Sequence, residues 1–102
     1  VMSELSEVTC VVIVAEAIVE PRLLDDLVAC GVRGWTLTPA QGQGPRNRGV
    51  SEIEGGSIRL DVLASDAVVD RIWQLLDSDY FHDYAVSAWS YPVRVMRTDR
   101  YR

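Results

Sequence analysis

An α+β domain, with two helices laid over one face of a four-stranded antiparallel sheet, is the fold class this sequence predicts. Strand-type and helix-type patterns follow one another in the order β-α-β-β-α-β, and each half reads as a βαβ-like unit. Size and composition agree: 102 residues, 48% hydrophobic and 25% charged, suit one globular domain spanning 1–102.

The first strand is expected at residues 8–15, VTCVVIVA, an unbroken run rich in β-branched residues of the kind buried on both faces of a sheet. Glu20-Pro21 opens a helix, since proline suits a first turn. Leu23, Leu24, Leu27 and Val28 fall on one helical face, while Asp25 and Asp26 point outward near the positive end. Gly31 stops that helix. A second strand is expected over 34–40. Residues 41–56 contain five glycines, a proline and several polar residues, which predicts a long exposed loop. The third strand, 57–64, alternates Ile58, Leu60, Val62 and Ala64 with Arg59, Asp61 and Leu63. Ser65 or Asp66 caps the second helix, whose inward stripe is Val68, Val69, Ile72, Trp73 and Leu76. Residues 77–83 read as a connection and 84–89 as the fourth strand. Pro92 ends that strand before a short C-terminal one at 93–96. Both helices on one sheet face make the arrangement ferredoxin-like and leave the other face bare. A closed homo-oligomer, a trimer, is expected to cover it, with Trp35 and Trp89 packing at the interface.

Composition removes several classes of function. No apolar run reaches the ~20 residues that span a bilayer, and Glu4 and Glu7 replace the basic start of a secretory signal, so the cytoplasm is expected. A net charge of −5 argues against general affinity for nucleic acid. Cys10 and Cys30 read as buried free thiols. No CxxC occurs and His82 has no second ligand near it in sequence, so no metal site is expected. His82 reads as a surface loop residue with no catalytic constellation around it, and no catalytic residue is expected.

The most informative stretch is 31–49, GVRGWTLTPAQGQGPRNRG. A short β-type run empties into Gly42-x-Gly44, where backbone N–H groups approach a ligand with no Cβ in the way. Arg46 and Arg48 follow with planar donors suited to phosphate or carboxylate. All ten basic residues are arginines, and six sit in two segments: Arg46 and Arg48, then Arg94, Arg97, Arg100 and Arg102. On an acidic chain this clustering suggests local anion sites; a solvated loop and a frayed basic tail is the plain alternative.

Read as phrases, "Val12-Ile13-Val14…Gly31-Val32-Arg33-Gly34-Trp35-Thr36-Leu37", "Gly42-Gln43-Gly44-Pro45-Arg46-Asn47" and "Tyr80-Phe81-His82-Asp83-Tyr84-Ala85" together cover nearly the whole chain. Their order and spacing resemble the PII signalling superfamily, and more closely its PII-like branch associated with bicarbonate transport and carboxysomes. The resemblance implies a homotrimer that is not an enzyme and binds adenine nucleotide in clefts between subunits. By position, Gly34, Thr36, Asp61 and Leu63 would surround adenine and ribose; for Asp61, a solvated edge position is the plain alternative. Gly42 and Gly44 would offer backbone donors at the base of a mobile T-loop at about 41–56. Asp83, Tyr84 and Ala85 occupy the phosphate-facing B-loop, and Arg97 matches a basic residue from the neighbouring subunit.

Departures from the pattern sharpen these expectations. Conventional PII proteins carry a glycine and then a lysine where this chain has Tyr84 and Ala85. Losing that cation removes a contact worth ~1.5–3 kcal/mol, felt most by ATP, so ADP or AMP is expected to be preferred over ATP; cyclic AMP is a further candidate occupant. Arg46 stands where conventional members have a glutamine that helps bind 2-oxoglutarate. Arginine favours a small anion, and the resemblance implies bicarbonate, held by Gly44 and Arg46. The loop has no tyrosine for uridylylation; Ser51 is left as an unmodified serine. The implied partner is a bicarbonate transporter or a carboxysome-related protein, with any membrane contact made through the transporter. No tightly bound cofactor is expected. The competing class, a small trimeric ferredoxin-like enzyme or metal-binding protein, would need an acid/base pair or a ligand cluster.

Overall fold

The β-branched run of the N-terminal half builds a strand longer than its apolar centre. β1 spans Ser6–Glu16, a single 3-10 turn at Ala17–Val19 redirects the chain, and α1 (Glu20–Cys30) follows. Then come β2 (Trp35–Ala40), β3 (Ser57–Ala64), α2 (Asp66–Asp79) and β4 (Val86–Val95). The computed structural model describes residues 5–42 and 56–96. The sheet runs β2-β3-β1-β4 and every neighbouring pair is antiparallel. This is the ferredoxin-like order, with the two most apolar strands in the middle and both helices on one side.

Alternation along the strands sorts the two faces. Val11, Ile13 and Ala15 of β1 join Ile58, Leu60, Val62 and Ala64 of β3 against Leu23 and Leu27 of α1 and Val68, Val69, Ile72 and Leu76 of α2. On the opposite face, register aligns Cys10 between Leu63 and Tyr91, and Val12 between Asp61 and Trp89. Val8, Cys10 and Val12 are buried there by their neighbours and stand outside the helix-side core. Trp89 and Tyr91, beside them, are 44% and 43% exposed. Trp35, 41% exposed, pairs with Val62 and so belongs to the helix side, at the outer edge of β2. The two tryptophans read together in sequence lie on opposite faces.

Helix ends follow local chemistry. Gly31 adopts φ 105°, with its N–H donating to Val28 O and that of Val32 to Leu27 O, both at 3.0 Å. That left-handed exit closes α1. Ser65 sits at the N-cap of α2 but its hydroxyl makes no cap hydrogen bond; Asp66 faces the first turn instead.

Several boundaries differ from the sequence expectation, each for a physical reason. β4 runs through Pro92 without a break, so 93–95 continues it and is no separate strand. Proline is tolerated because β4 is an edge strand, where a missing N–H costs no ladder bond on the outer side. α2 continues to Asp79, absorbing the first three residues of the expected connection. Its stripe extends at i+4 from Leu76 to Tyr80, which is fully buried. Val28 is 53% exposed rather than inward, because α1 buries only the narrow line through Leu23 and Leu27. Cys10 is buried as expected, whereas Cys30 is only half-buried at the end of α1.

Candidate functional site

The residues expected around adenine and ribose do cluster, on β2 and the strand beside it. Thr36 is exposed and lies directly opposite Asp61, and Leu63 stands two residues along the same face. Gly34 precedes β2; a Cβ there would meet nothing within 4 Å, so the backbone is open to approach. Gly42 is equally open, just beyond β2. Asp61 does not stand at a sheet edge, since β3 is interior to the sheet, although its side chain remains 39% exposed on the bare face. Its Oδ1 accepts from Arg59 Nε at 2.9 Å, and Arg59 also lies 5.9 Å from the centroid of the Trp89 ring. The Asp61 hydrogen bond holds the Arg59 guanidinium pKa above its ordinary value. Asp61, Arg59 and Trp89 therefore make one charged and aromatic strip across the bare face.

The expected phosphate-facing segment is anchored from beneath. Tyr80 ends α2 with its ring in the core, and its hydroxyl donates to Asp26 Oδ2 at 2.5 Å. Arg22 lies 4.9 Å over the same ring and 3.7 Å from Asp26. Burial, reinforced by the Asp26 bond, pushes the Tyr80 phenol well above the usual tyrosine range. From this anchor the chain makes a tight turn: Asp83 and Tyr84 N–H groups donate to Tyr80 O at 3.2 and 3.0 Å. The Tyr84 ring rests 6.0 Å from that of Tyr80. Ala85 is exposed, and its N–H donates to Glu16 Oε2 at 2.7 Å.

One chain does not bring these two groups together. Thr36 is on edge strand β2 and Ala85 immediately precedes the opposite edge strand, three strand spacings or about 14 Å across the sheet. Gly44, Arg46 and Arg97, together with most of the 41–56 loop, lie outside the described residues. Among the described residues no group of three or more His, Cys, Asp or Glu side chains is placed to hold a metal ion. Burial raises the Cys30 thiol pKa. His82 is exposed. No helix among the described residues is long and apolar enough to cross a membrane.

Sequence reasoning missed Tyr80, Arg22, Asp26 and Glu16 as the frame of the turn. Tyr80 was findable by extending the i, i+3, i+4 stripe past Leu76. The Asp26 and Glu16 contacts join positions 54 and 69 residues away from their partners and leave no local signal.

Comparison with known proteins places the fold. The chain aligns with a candidate PII-like signaling protein from Thermus thermophilus at 38% identity and a TM-score of 0.83, covering 97% of this chain and 99% of that one. It superposes on CPII, a nitrogen regulatory PII-like protein from Thiomonas intermedia K12 bound to ADP, AMP and bicarbonate, at TM-score 0.87 and 16% identity, covering 99% of each chain. GlnK of B. subtilis matches at TM-score 0.64 and 16% identity over 86% of each chain. No curated protein sequence matches the chain. The family profile described as Nitrogen regulatory protein P-II matches residues 8–100. With its sheet order, its helix placement and that match over most of its length, the chain belongs to the nitrogen regulatory protein P-II family.

Proposed function

We propose that this protein is a homotrimeric, non-enzymatic sensor that binds ADP or AMP, with bicarbonate beside it, in crevices between adjacent protomers. Occupancy of the crevice sets the state of the 41–56 T-loop, and the T-loop controls a bicarbonate-transport or carboxysome partner in the cytoplasm. The observation that carries this reading is full-length likeness to a Thiomonas PII-like protein holding ADP, AMP and bicarbonate.

Each residue group has a role in it. Gly34, Thr36, Asp61 and Leu63 line adenine and ribose; a ribose hydroxyl shares the Asp61 carboxylate with Arg59. Gly42 and Gly44 supply backbone donors, Tyr84 and Ala85 meet the phosphates, and Arg97 arrives from the neighbouring protomer. Arg46 and Gly44 hold the bicarbonate. The separation of Thr36 from Ala85 within one chain supports a site shared by two chains. The bare sheet face, with Trp89 and Tyr91 exposed beside buried Val12, supplies the surface on which protomers pack. Without a B-loop lysine, a third phosphate gains little.

Titration calorimetry with ADP, AMP, ATP and cyclic AMP, each with and without bicarbonate, tests the reading. ADP and AMP bind, and bicarbonate changes ADP affinity because coupling between two sites is reciprocal. ATP bound more than tenfold tighter than ADP would refute the preference. ADP affinity indifferent to bicarbonate would refute the shared site.

A further inference from the structure

The turn assigned above to the nucleotide phosphates is already holding an anion. Glu16, the last residue of β1, continues the alternation of Val12 and Val14 and so lies on the bare face, in register with Ser57. Its Oε2 accepts from the Ala85 N–H at 2.7 Å, the short end of the range for an amide bonded to a carboxylate. Ala85 has no side chain beyond Cβ to obstruct access to that amide, and it is exposed. A backbone N–H at an open turn is the donor a phosphate oxygen would claim.

One N–H cannot serve two anions at full strength, and two like charges within contact distance repel. The anchoring of the turn by Tyr80 and Asp26 keeps the Ala85 amide in place whichever anion it serves. Asp83, in the same turn, adds a second negative charge rather than relieving the first.

We propose that Glu16 is a built-in competitor for the phosphate position: it holds the Ala85 N–H and must be displaced when a nucleotide phosphate binds. The inference rests on the reading of 80–85 as the phosphate-facing segment. It assigns to Glu16 a part in the preference for fewer phosphates, because a carboxylate that stays nearby repels ATP more than AMP. Glu16 thus selects among nucleotides, beyond any effect of the absent lysine.

The test compares ADP, ATP and adenosine binding by calorimetry in the wild type, Glu16→Gln and Glu16→Ala. Glu16→Ala binds ADP about tenfold tighter, the low end of what freeing a donor from a charged acceptor is worth, and Glu16→Gln, whose amide oxygen still accepts from the Ala85 N–H, gains less by losing only the charge. ATP gains more than ADP, and adenosine, with no phosphate, is unchanged. Nucleotide binding that emerges only in the variants also supports the proposal, with Glu16 as a complete block. Equal or weaker ADP affinity in both variants overturns it while leaving the sensor reading intact, provided the wild type binds ADP. If neither the wild type nor either variant binds any adenine nucleotide, the sensor reading falls and this inference with it. A gain equal for adenosine and ADP overturns the proposal, because a competitor for the phosphate position cannot act on a ligand without phosphate. A second measurement needs no variant: in the wild-type amide spectrum, the Ala85 resonance shifts on adding pyrophosphate or ADP and stays put with adenosine. An Ala85 resonance that ignores saturating ADP overturns the proposal even if a variant fails to fold.

Discussion

Replacing Tyr80 with phenylalanine keeps the buried ring and removes one hydroxyl, so it isolates the bond to Asp26. Tyr80 is fully buried and donates at 2.5 Å to a carboxylate that is itself about one-third exposed. A hydrogen bond to a charged partner contributes ~1.5–3 kcal/mol. Asp26 regains water in the variant, which places the cost near the lower figure, about 1.5 kcal/mol. For a domain of about 100 residues, each 1 kcal/mol moves Tm by roughly 4–8 °C, so Tm falls by about 6–12 °C at neutral pH. The alkaline limb carries the second half of the argument. Burial, then the Asp26 bond, raises the phenol pKa in the folded chain, while an unfolded tyrosine ionises near pH ~10. The neutral phenol is thus favoured by folding. Its contribution is complete below pH ~10 and is lost as pH rises from there toward the folded value. Wild-type Tm therefore drops above pH ~10, and Tyr80→Phe loses less over the same window. The other tyrosines are common to both proteins and cancel in the difference. Melting curves from pH 7 to 11 at one fixed protein concentration check this, since assembly makes Tm concentration-dependent. A variant within about 0.5 kcal/mol of wild type, with a parallel alkaline limb, would show that the Asp26 bond does not anchor the turn.

Three further substitutions probe the fold and the assembly. Gly31→Ala forces a side chain to φ 105° and brings its Cβ to 3.3 Å from Val68 Cγ2, so it costs about 1–2 kcal/mol. Gly34→Ala, with open space around the new methyl, serves as the near-neutral control, and equal Tm for the two variants would contradict the account. Trp89→Glu puts a charge on the bare face beside Val12, and light scattering should show the wild-type trimer replaced by monomer. A variant of unchanged mass would move the protomer interface elsewhere.

Periodicity was enough to read the two helices, the first three strands and their order, but it split the C-terminal strand at Pro92. β3 alternates Ile58, Leu60, Val62 and Ala64 inward, and α2 places Val69, Ile72 and Leu76 on one stripe; such patterns are written in neighbouring residues. Gly31 announced the end of α1 for the same reason, because a left-handed exit is a local demand. The pairing of Thr36 with Asp61 could be anticipated only as membership of one region.

Which distant residues meet was a tertiary decision. Pro92 reads as a strand terminator until β4 is known to be an edge, the position in a sheet where proline is tolerated. Asp61 reads as an edge residue until β3 is known to be interior and Arg59 is seen at 2.9 Å. Glu16 and Ala85 are 69 residues apart, and their hydrogen bond exists only because β1 and β4 close side by side. Local patterning in a chain specifies what each segment becomes; contacts between distant segments depend on how those segments stack, which no short window of sequence contains.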